Sequence, residues 1–226
     1  GSSTYDYAYG ISVDASGVYV VGWTNGTLPG QTSSGGIDAF VRKYEVNGTD
    51  VWTRQFGTSD REEAYGISVD ASGVYVVAYT EGTLPGQTSA GLRDAFVRKY
   101  DANGTEVWTR QFGSSTYDYA FGISVDASGI YVAGWTNGTL PGQTSSGYSD
   151  AFVRKYDASG TEVWTRQFGA IVPVYDVAQA VNAYGNVYVA GWTNGTLPGQ
   201  TSAGGYDAFV RKYDANGSEV WTRQFG

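Results

Sequence analysis

The sequence predicts an all-β chain, a β-propeller of four four-stranded antiparallel blades. Three observations carry that reading. The first 225 residues divide into four repeats of 56 or 57 residues, and Gly226 follows the last. Each repeat holds four short segments rich in Val, Ile, Tyr, Phe, Trp and Thr, which suit a pleated, half-buried surface. Turn residues punctuate every repeat at the same places. No apolar stripe of 3.6-residue period persists, so a helical reading fails. A β-solenoid is the competing architecture, but its coils take about 20–30 residues with one or two strands each.

The repeats run 1–56, 57–112, 113–168 and 169–226, one blade each. Together they make one propeller or half of an eight-bladed ring. In the first repeat the strands are expected at Tyr9–Asp14 (YGISVD), Val18–Thr24 (VYVVGWT), Ala39–Tyr44 (AFVRKY) and Val51–Phe56 (VWTRQF). "DASG" joins the first pair and "NGT" the last, Asn-Gly being a tight-hairpin signal because both residues tolerate positive φ. A long loop, GWTNGTLPGQTSSG in repeats one and three, joins the second strand to the third. Its Pro-Gly is the mark of a type II turn. The fourth repeat is one residue longer, read as an insertion in "NAYGNVYV" where the others have "DASGVYV" or "DASGIYV".

Composition narrows the function. With 41% hydrophobic and 15% aromatic residues the chain buries a sizeable core. Its net charge of −8 repels phosphate backbones, against nucleic-acid binding. Without Cys there are no disulfides and no thiolate chemistry. No apolar run approaches the ~18–20 residues of a membrane helix, and no signal peptide is read. Lack of Met points to a processed, excised or engineered chain. "GSST" recurs in frame at 113–116 and therefore belongs to the repeat.

The stretch DYAYGISVDASGVYVVGWT, followed by DAFVRKYDANGTEVWTRQFG, resembles the SBBP repeat of bacterial and archaeal surface or secreted proteins. It is also similar to the NHL repeat. The resemblance covers all four repeats. It implies a propeller, an extracellular or cell-surface location and no common activity. Its strand order places "GISV" along the central channel, where Gly10, Gly66, Gly122 and Ala178 suit a crowded axis, and "VWTRQF" at the rim.

Residues identical in every blade read first as structural. Asp38, Asp94, Asp150 and Asp207, with Arg42, Arg98, Arg154 and Arg211 and with Arg54, Arg110, Arg166 and Arg223, are expected to tie strands or blades together; an ion-binding ring is the functional alternative. Trp52, Trp108, Trp164 and Trp221 are expected between blades. Trp23, Tyr79, Trp135 and Trp192 adjoin the long loop and are candidates for stacking on sugar rings, with core packing as the plain reading. Asn25, Asn47, Asn103, Asn137, Asn194 and Asn216 sit in sequons and are glycosylation candidates, or simply turn residues. Asp60, Arg61, Glu62 and Glu63 in the second repeat, and Ile171, Val172 and Pro173 in the fourth, break the pattern and are candidates for a specialised interface.

The absence of His and Cys removes the usual zinc, copper and iron ligands, and no loop has calcium spacing. No metal or cofactor is expected. No nucleophile–base pair or distinctive carboxylate pair appears. The expectation is a non-catalytic scaffold or binding module, with the long-loop face as the place of binding. A lectin-like module is the second reading and a propeller hydrolase or lyase the third. The expected partner is a second copy, closing an eight-bladed ring as a homodimer, or the adjacent repeats of a longer chain; a protein or glycan ligand comes next.

Overall fold

The computed structural model describes residues 1–172 and 174–226. Each repeat folds as one antiparallel meander, and the four sheets are the blades. The first holds β1 (Asp6–Asp14), β2 (Gly17–Thr24), β3 (Asp38–Tyr44) and β4 (Asp50–Phe56). The second holds β5 (Glu62–Asp70), β6 (Gly73–Thr80), β7 (Asp94–Tyr100) and β8 (Glu106–Phe112). The third holds β9 (Asp118–Asp126), β10 (Gly129–Thr136), β11 (Asp150–Tyr156) and β12 (Glu162–Phe168). The fourth holds β13 (Asp176–Tyr184), β14 (Asn186–Thr193), β15 (Asp207–Tyr213) and β16 (Glu219–Phe225). Two compact units result, Gly1–Phe112 and Gly113–Gly226, each of two blades.

The first strand of each blade begins three residues before the expected Tyr9. A bulge between Ala8 and Gly10 leaves Tyr9 as the extra residue, so Asp6–Ala8 stay paired with Gly22–Thr24. Inside the first unit β5 lies against β1, β2 and β3; inside the second, β13 lies against β9, β10 and β11. The first strands of neighbouring blades approach so closely that a Cβ on Gly10 would sit 2.7 Å from the Tyr65 carbonyl oxygen. This contact demands the glycine. The core between the blades of the first unit packs Val21, Val41, Val76 and Phe96; that of the second packs Val153, Val187, Val189 and Phe209.

The fourth repeat corrects the expected insertion. Its first hairpin is shorter, not longer: Tyr184 pairs with Asn186 around Gly185 alone, whereas Asp14 pairs with Gly17 around two residues. The added length lies in the opening, where 170–175 precede Asp176 and only 114–117 precede Asp118. Register then puts Ala180, not Ala178, at the crowded glycine position. Ala180 pairs with Ala190 as Gly122 pairs with Ala133, and Ala178 pairs with Gly191 as Ala8 pairs with Gly22.

The "NGT" connection is also not the expected two-residue hairpin. Only the glycine has positive φ (87° at Gly48), and no described non-glycine residue does. Gly48 N donates to Glu45 O at 2.9 Å and Glu45 N to Thr49 O at 2.8 Å, which closes a longer turn. The Asn47 side chain stays local, its Oδ1 accepting from Thr49 N at 2.8 Å. The Pro-Gly turn follows its prediction in all four loops: Gly30, Gly86, Gly142 and Gly199 have φ of 71–73°, and each following Gln N–H donates to the Leu carbonyl at 2.9–3.0 Å.

One side chain per blade holds the long loop down. Gln55 Oε1 accepts from Leu28 N at 2.8 Å, while Gln55 Nε2 donates to Gly26 O at 2.7 Å and to Asp38 Oδ2 at 2.6 Å. Gln111, Gln167 and Gln224 repeat all three bonds. The Asp of each blade is therefore tied to Gln, not to Arg as expected. The arginines go elsewhere. Arg42 pairs with Asp50 in its own blade, and Arg54 Nε donates to Gly104 O of the next blade at 2.7 Å. Trp52 Nε1 reaches Ala102 O at 3.1 Å and Trp164 Nε1 reaches Ala215 O at 3.3 Å, which places these indoles between blades as expected.

Two outcomes test this account by urea unfolding of the whole chain. Gln111→Ala strands the Leu84 amide and removes one of two donors from Asp94 Oδ2, and should cost about 1–3 kcal/mol. Gly86→Ala meets nothing within 4 Å, so its cost of about 1–2 kcal/mol comes from the left-handed backbone alone. An unchanged midpoint in either variant contradicts the role given to that residue.

Candidate functional site

Thr24 and Asp38 form the last rung of the β2–β3 pairing. The long loop thus leaves and returns at one sheet end, the end where each blade also begins. There the loop meets the opening of the next blade. Ile37 N donates to Asp60 O at 3.1 Å and Glu62 N to Ile37 O at 2.7 Å, a parallel bridge between Ile37 and Arg61. In the second unit Ser149 makes the same bridge with Tyr175.

This face is where near-identical repeats differ most in chemistry. The two residues before the blade Asp are Gly36-Ile37, Leu92-Arg93, Tyr148-Ser149 and Gly205-Tyr206. The residue before each first strand is Tyr5, Arg61, Tyr117 or Tyr175. The bridges bring these two variable sets together. The conserved Leu28 and Leu84 beneath them are buried, and the Gln network fixes the loop backbone. Variable side chains are thus carried on an invariant frame.

In the first unit the variable residues form a charged cluster. Arg61 pairs with Glu63, Tyr65 Oη donates to Glu63, and Arg93 pairs with Glu81 at 2.6 Å while lying over the Tyr79 ring at 5.2 Å. Glu62 and Glu63 are buried, their bonds going to Thr58, Thr80, Arg61 and Tyr65 of their own repeat, while Asp60 is exposed and Arg61 half-exposed. Burial, then the Glu63 carboxylate, pushes the Tyr65 hydroxyl well above its ordinary range.

In the second unit the variable residues are aromatic. An open cavity of about 350 Å³ is lined by Thr116, Tyr117, Asn137, Gly147 and Tyr148. Both tyrosines are exposed, and Tyr148 meets Tyr175 edge-on at 5.1 Å. Asn137 N donates to Tyr117 O at 2.9 Å, whereas Asn137 Oδ1 is buried without a hydrogen-bond partner. Sequence reasoning missed Tyr117 and Tyr148. For Tyr148 the signal was present, as a site of change within an otherwise constant repeat; Tyr117 is the repeat's common residue and carried none.

The aromatics named from sequence lie deeper. Trp23 stacks on Tyr7 at 4.4 Å and Trp135 on Tyr119 at 4.6 Å; Trp192 meets Tyr206 edge-on at 5.2 Å, and Tyr79 is buried under Arg93. Of the sequons, Asn25, Asn137 and Asn194 lie in the long-loop segments, and Asn47, Asn103 and Asn216 lie on the hairpin turns at the other end. Ile171 and Val172 are exposed, and Pro173 lies outside the described residues.

Below the variable layer two carboxylates meet at each within-unit junction. A side chain on Gly57 would fall between Asp38 and Glu62, and one on Gly169 between Asp150 and Asp176. All four carboxylates are buried, and Asp38 Oδ1 and Asp150 Oδ1 have no hydrogen-bond donor. Burial, with the Asp38 charge adding to it, raises the Glu62 carboxyl; bonds from Thr80 and Thr58 offset part of the rise. Asp176 is raised in the same way, by burial and by Asp150.

A folded-state pKa above the unfolded value favours folding below the unfolded pKa, and that contribution is lost as pH rises through the folded value. Between about pH 4.5 and neutrality, wild type should therefore lose stability relative to Glu62→Gln, which cannot ionise. Urea midpoints of both proteins across that window check it; a pH-independent difference contradicts it.

Residues 107–141 match the SBBP beta-propeller repeat. The regulatory protein FlaEY of Caulobacter vibrioides is 30% identical over 159 residues, covering 63% of this chain and 17% of that protein. The chain thus spans only 17% of that curated relative's length. Among solved structures it is similar to the WD40 domain of Neurospora crassa Pan2, with 13% identity and a TM-score of 0.51, covering 97% of this chain and 66% of that one. It is also similar to an ACO/RPE65 chimera, with 12% identity and a TM-score of 0.51, covering 97% of this chain and 50% of that one. These structural likenesses show the fold alone.

Proposed function

We propose that this chain, built from SBBP-type β-propeller repeats, is a non-catalytic binding scaffold whose recognition face is the long-loop face. One observation carries the reading: the repeats change chemistry where, inside each unit, a long loop bridges to the next blade's opening, and the frame beneath is constant. Variable side chains on a rigid repeat frame are the arrangement by which solenoids and propellers bind. The acidic pairs beneath that face are buried, so they offer no substrate an accessible acid and base. The sequence contains no His or Cys to serve instead.

A specific observation favours a carbohydrate as the ligand. The cavity of Tyr117 and Tyr148 offers exposed phenol rings to an apolar sugar face, while the Thr116 hydroxyl at its wall suits a sugar hydroxyl group. A glycan array with the whole chain tests this. Neutral oligosaccharides should bind, and Tyr148→Ala should weaken them about tenfold, the scale of one lost aromatic contact. Val51→Lys, in β4, should leave binding unchanged. Glycan binding insensitive to Tyr148→Ala but lost in Val51→Lys would overturn the assignment of the face. No binding to any glycan would remove the carbohydrate reading.

A further inference from the structure

We propose that the buried carboxylate pair at the blade junction inside each unit is a binding site for calcium. The inference is independent of what the long-loop face binds. In the first unit the pair is Asp38, which opens β3, and Glu62, which opens β5 of the next blade. A Cβ on Gly57 would lie 2.5 Å from Asp38 Oδ1 and closer still to Glu62 Oε2. In the second unit a Cβ on Gly169 would lie 2.6 Å from Asp176 Oδ2 and closer still to Asp150 Oδ1. In each unit two carboxylate oxygens thus face each other across a space that a glycine leaves open and any other side chain would fill.

The oxygens that point into that space are orphaned. Asp38 and Asp150 are 0% and 1% exposed, and Oδ1 of each is without a hydrogen-bond donor. The remaining oxygens are well supplied. Asp38 Oδ2 accepts from Ser33 Oγ at 2.8 Å, Ser34 N at 3.0 Å and Gln55 Nε2 at 2.6 Å. Glu62 accepts from Thr58 N at 2.7 Å, Thr58 Oγ1 at 2.8 Å and Thr80 Oγ1 at 2.5 Å. Donors in this number favour the ionised carboxylate over the acid. Among the described residues no Lys or Arg forms an ion pair with Asp38, Glu62, Asp150 or Asp176. Two carboxylates are therefore buried side by side with hydrogen bonds in place and no positive charge between them, an arrangement that is costly until a cation enters.

The two units reach this geometry by different sequences. Asp176 stands two residues farther from its glycine than Glu62 does, and it is the shorter acid. The opening that departs most from the repeat still returns a carboxylate to the same place. The ligands on offer are oxygens, with no nitrogen or sulfur, so the site suits a hard cation. A double positive charge neutralises the pair, and calcium accepts irregular geometry and fills its shell with carbonyls and water. Loop spacing gave no calcium signal because the two acids come from different blades. A cation held there ties the end of one long loop to the start of the next blade. The pH dependence of Glu62→Gln described above then belongs to the cation-free protein.

Equilibrium dialysis of the whole, chelator-treated chain against calcium at neutral pH tests the proposal. Wild type should bind calcium at about 1 mM, the upper end of the range for weak modules. Glu62→Gln and Asp176→Asn should each bind one calcium fewer than wild type, and the double variant two fewer. Both substitutions keep the side-chain shape, so each variant should keep the wild-type circular dichroism spectrum. Glu62→Gln in chelator should also unfold in urea no earlier than wild type, which separates loss of calcium from loss of fold. Glu45→Gln, at an exposed acid on a hairpin turn, should leave the count unchanged. No calcium bound by wild type overturns the proposal and leaves the pair to hold a proton alone. So does a count that Glu62→Gln or Asp176→Asn leaves unchanged, or one that Glu45→Gln lowers equally.

Discussion

The structure depends on one carboxamide per blade. Gln55, Gln111, Gln167 and Gln224 each use both ends, accepting from a loop amide and donating to a loop carbonyl and an aspartate. A loop from Asn25 to Ile37 with little secondary structure of its own would otherwise leave polar backbone groups to water. The carboxamide, the Pro-Gly turn and the buried Leu convert it into a fixed element. Its far end can then bridge to the next blade, and the opening of that blade is set by the bridge. Local satisfaction of a few amides thereby fixes where one blade ends and another starts.

The junction between blades is built largely from backbone acceptors. Arg54 and Arg166 address turn carbonyls, not side chains. Such contacts read the turn's backbone and leave its side chains free to differ. The first strands need the opposite, near contact without side chains, and Gly10 and Gly122 serve that need. The intolerant inner strand explains why the repeats hold constant along β1 and β9. The fourth blade departs most, with Ala180 in place of glycine and added length in its opening, and it still keeps the Gln tie.

The architecture was legible because it is written four times. Period, strand composition and Pro-Gly turns each report a local preference, and local preferences survive folding when every copy agrees. The site was legible in part. The long-loop face was indicated by strand order, but the aromatics named beside it pack on neighbouring side chains, and the rings that line the cavity are Tyr117 and Tyr148. Tyr117 and Tyr148 sit just outside the strands, in the blade opening and the long loop, where no period-two pattern assigns a face.

By itself the sequence determined the all-β class, the number of blades, the turn types at Pro-Gly and the indoles between blades. Each of these follows from residue type within a short window. Only the tertiary structure decided that the blade Asp answers to Gln55 and not to Arg42 or Arg54, that the fourth repeat gains its length in the opening, and that Asp38 and Glu62 meet beneath the loop. Those partners lie from 17 to 24 residues apart or in different blades, where many pairings satisfy the same charges and donors. Packing selects among them by distance and burial, which no short window of sequence contains.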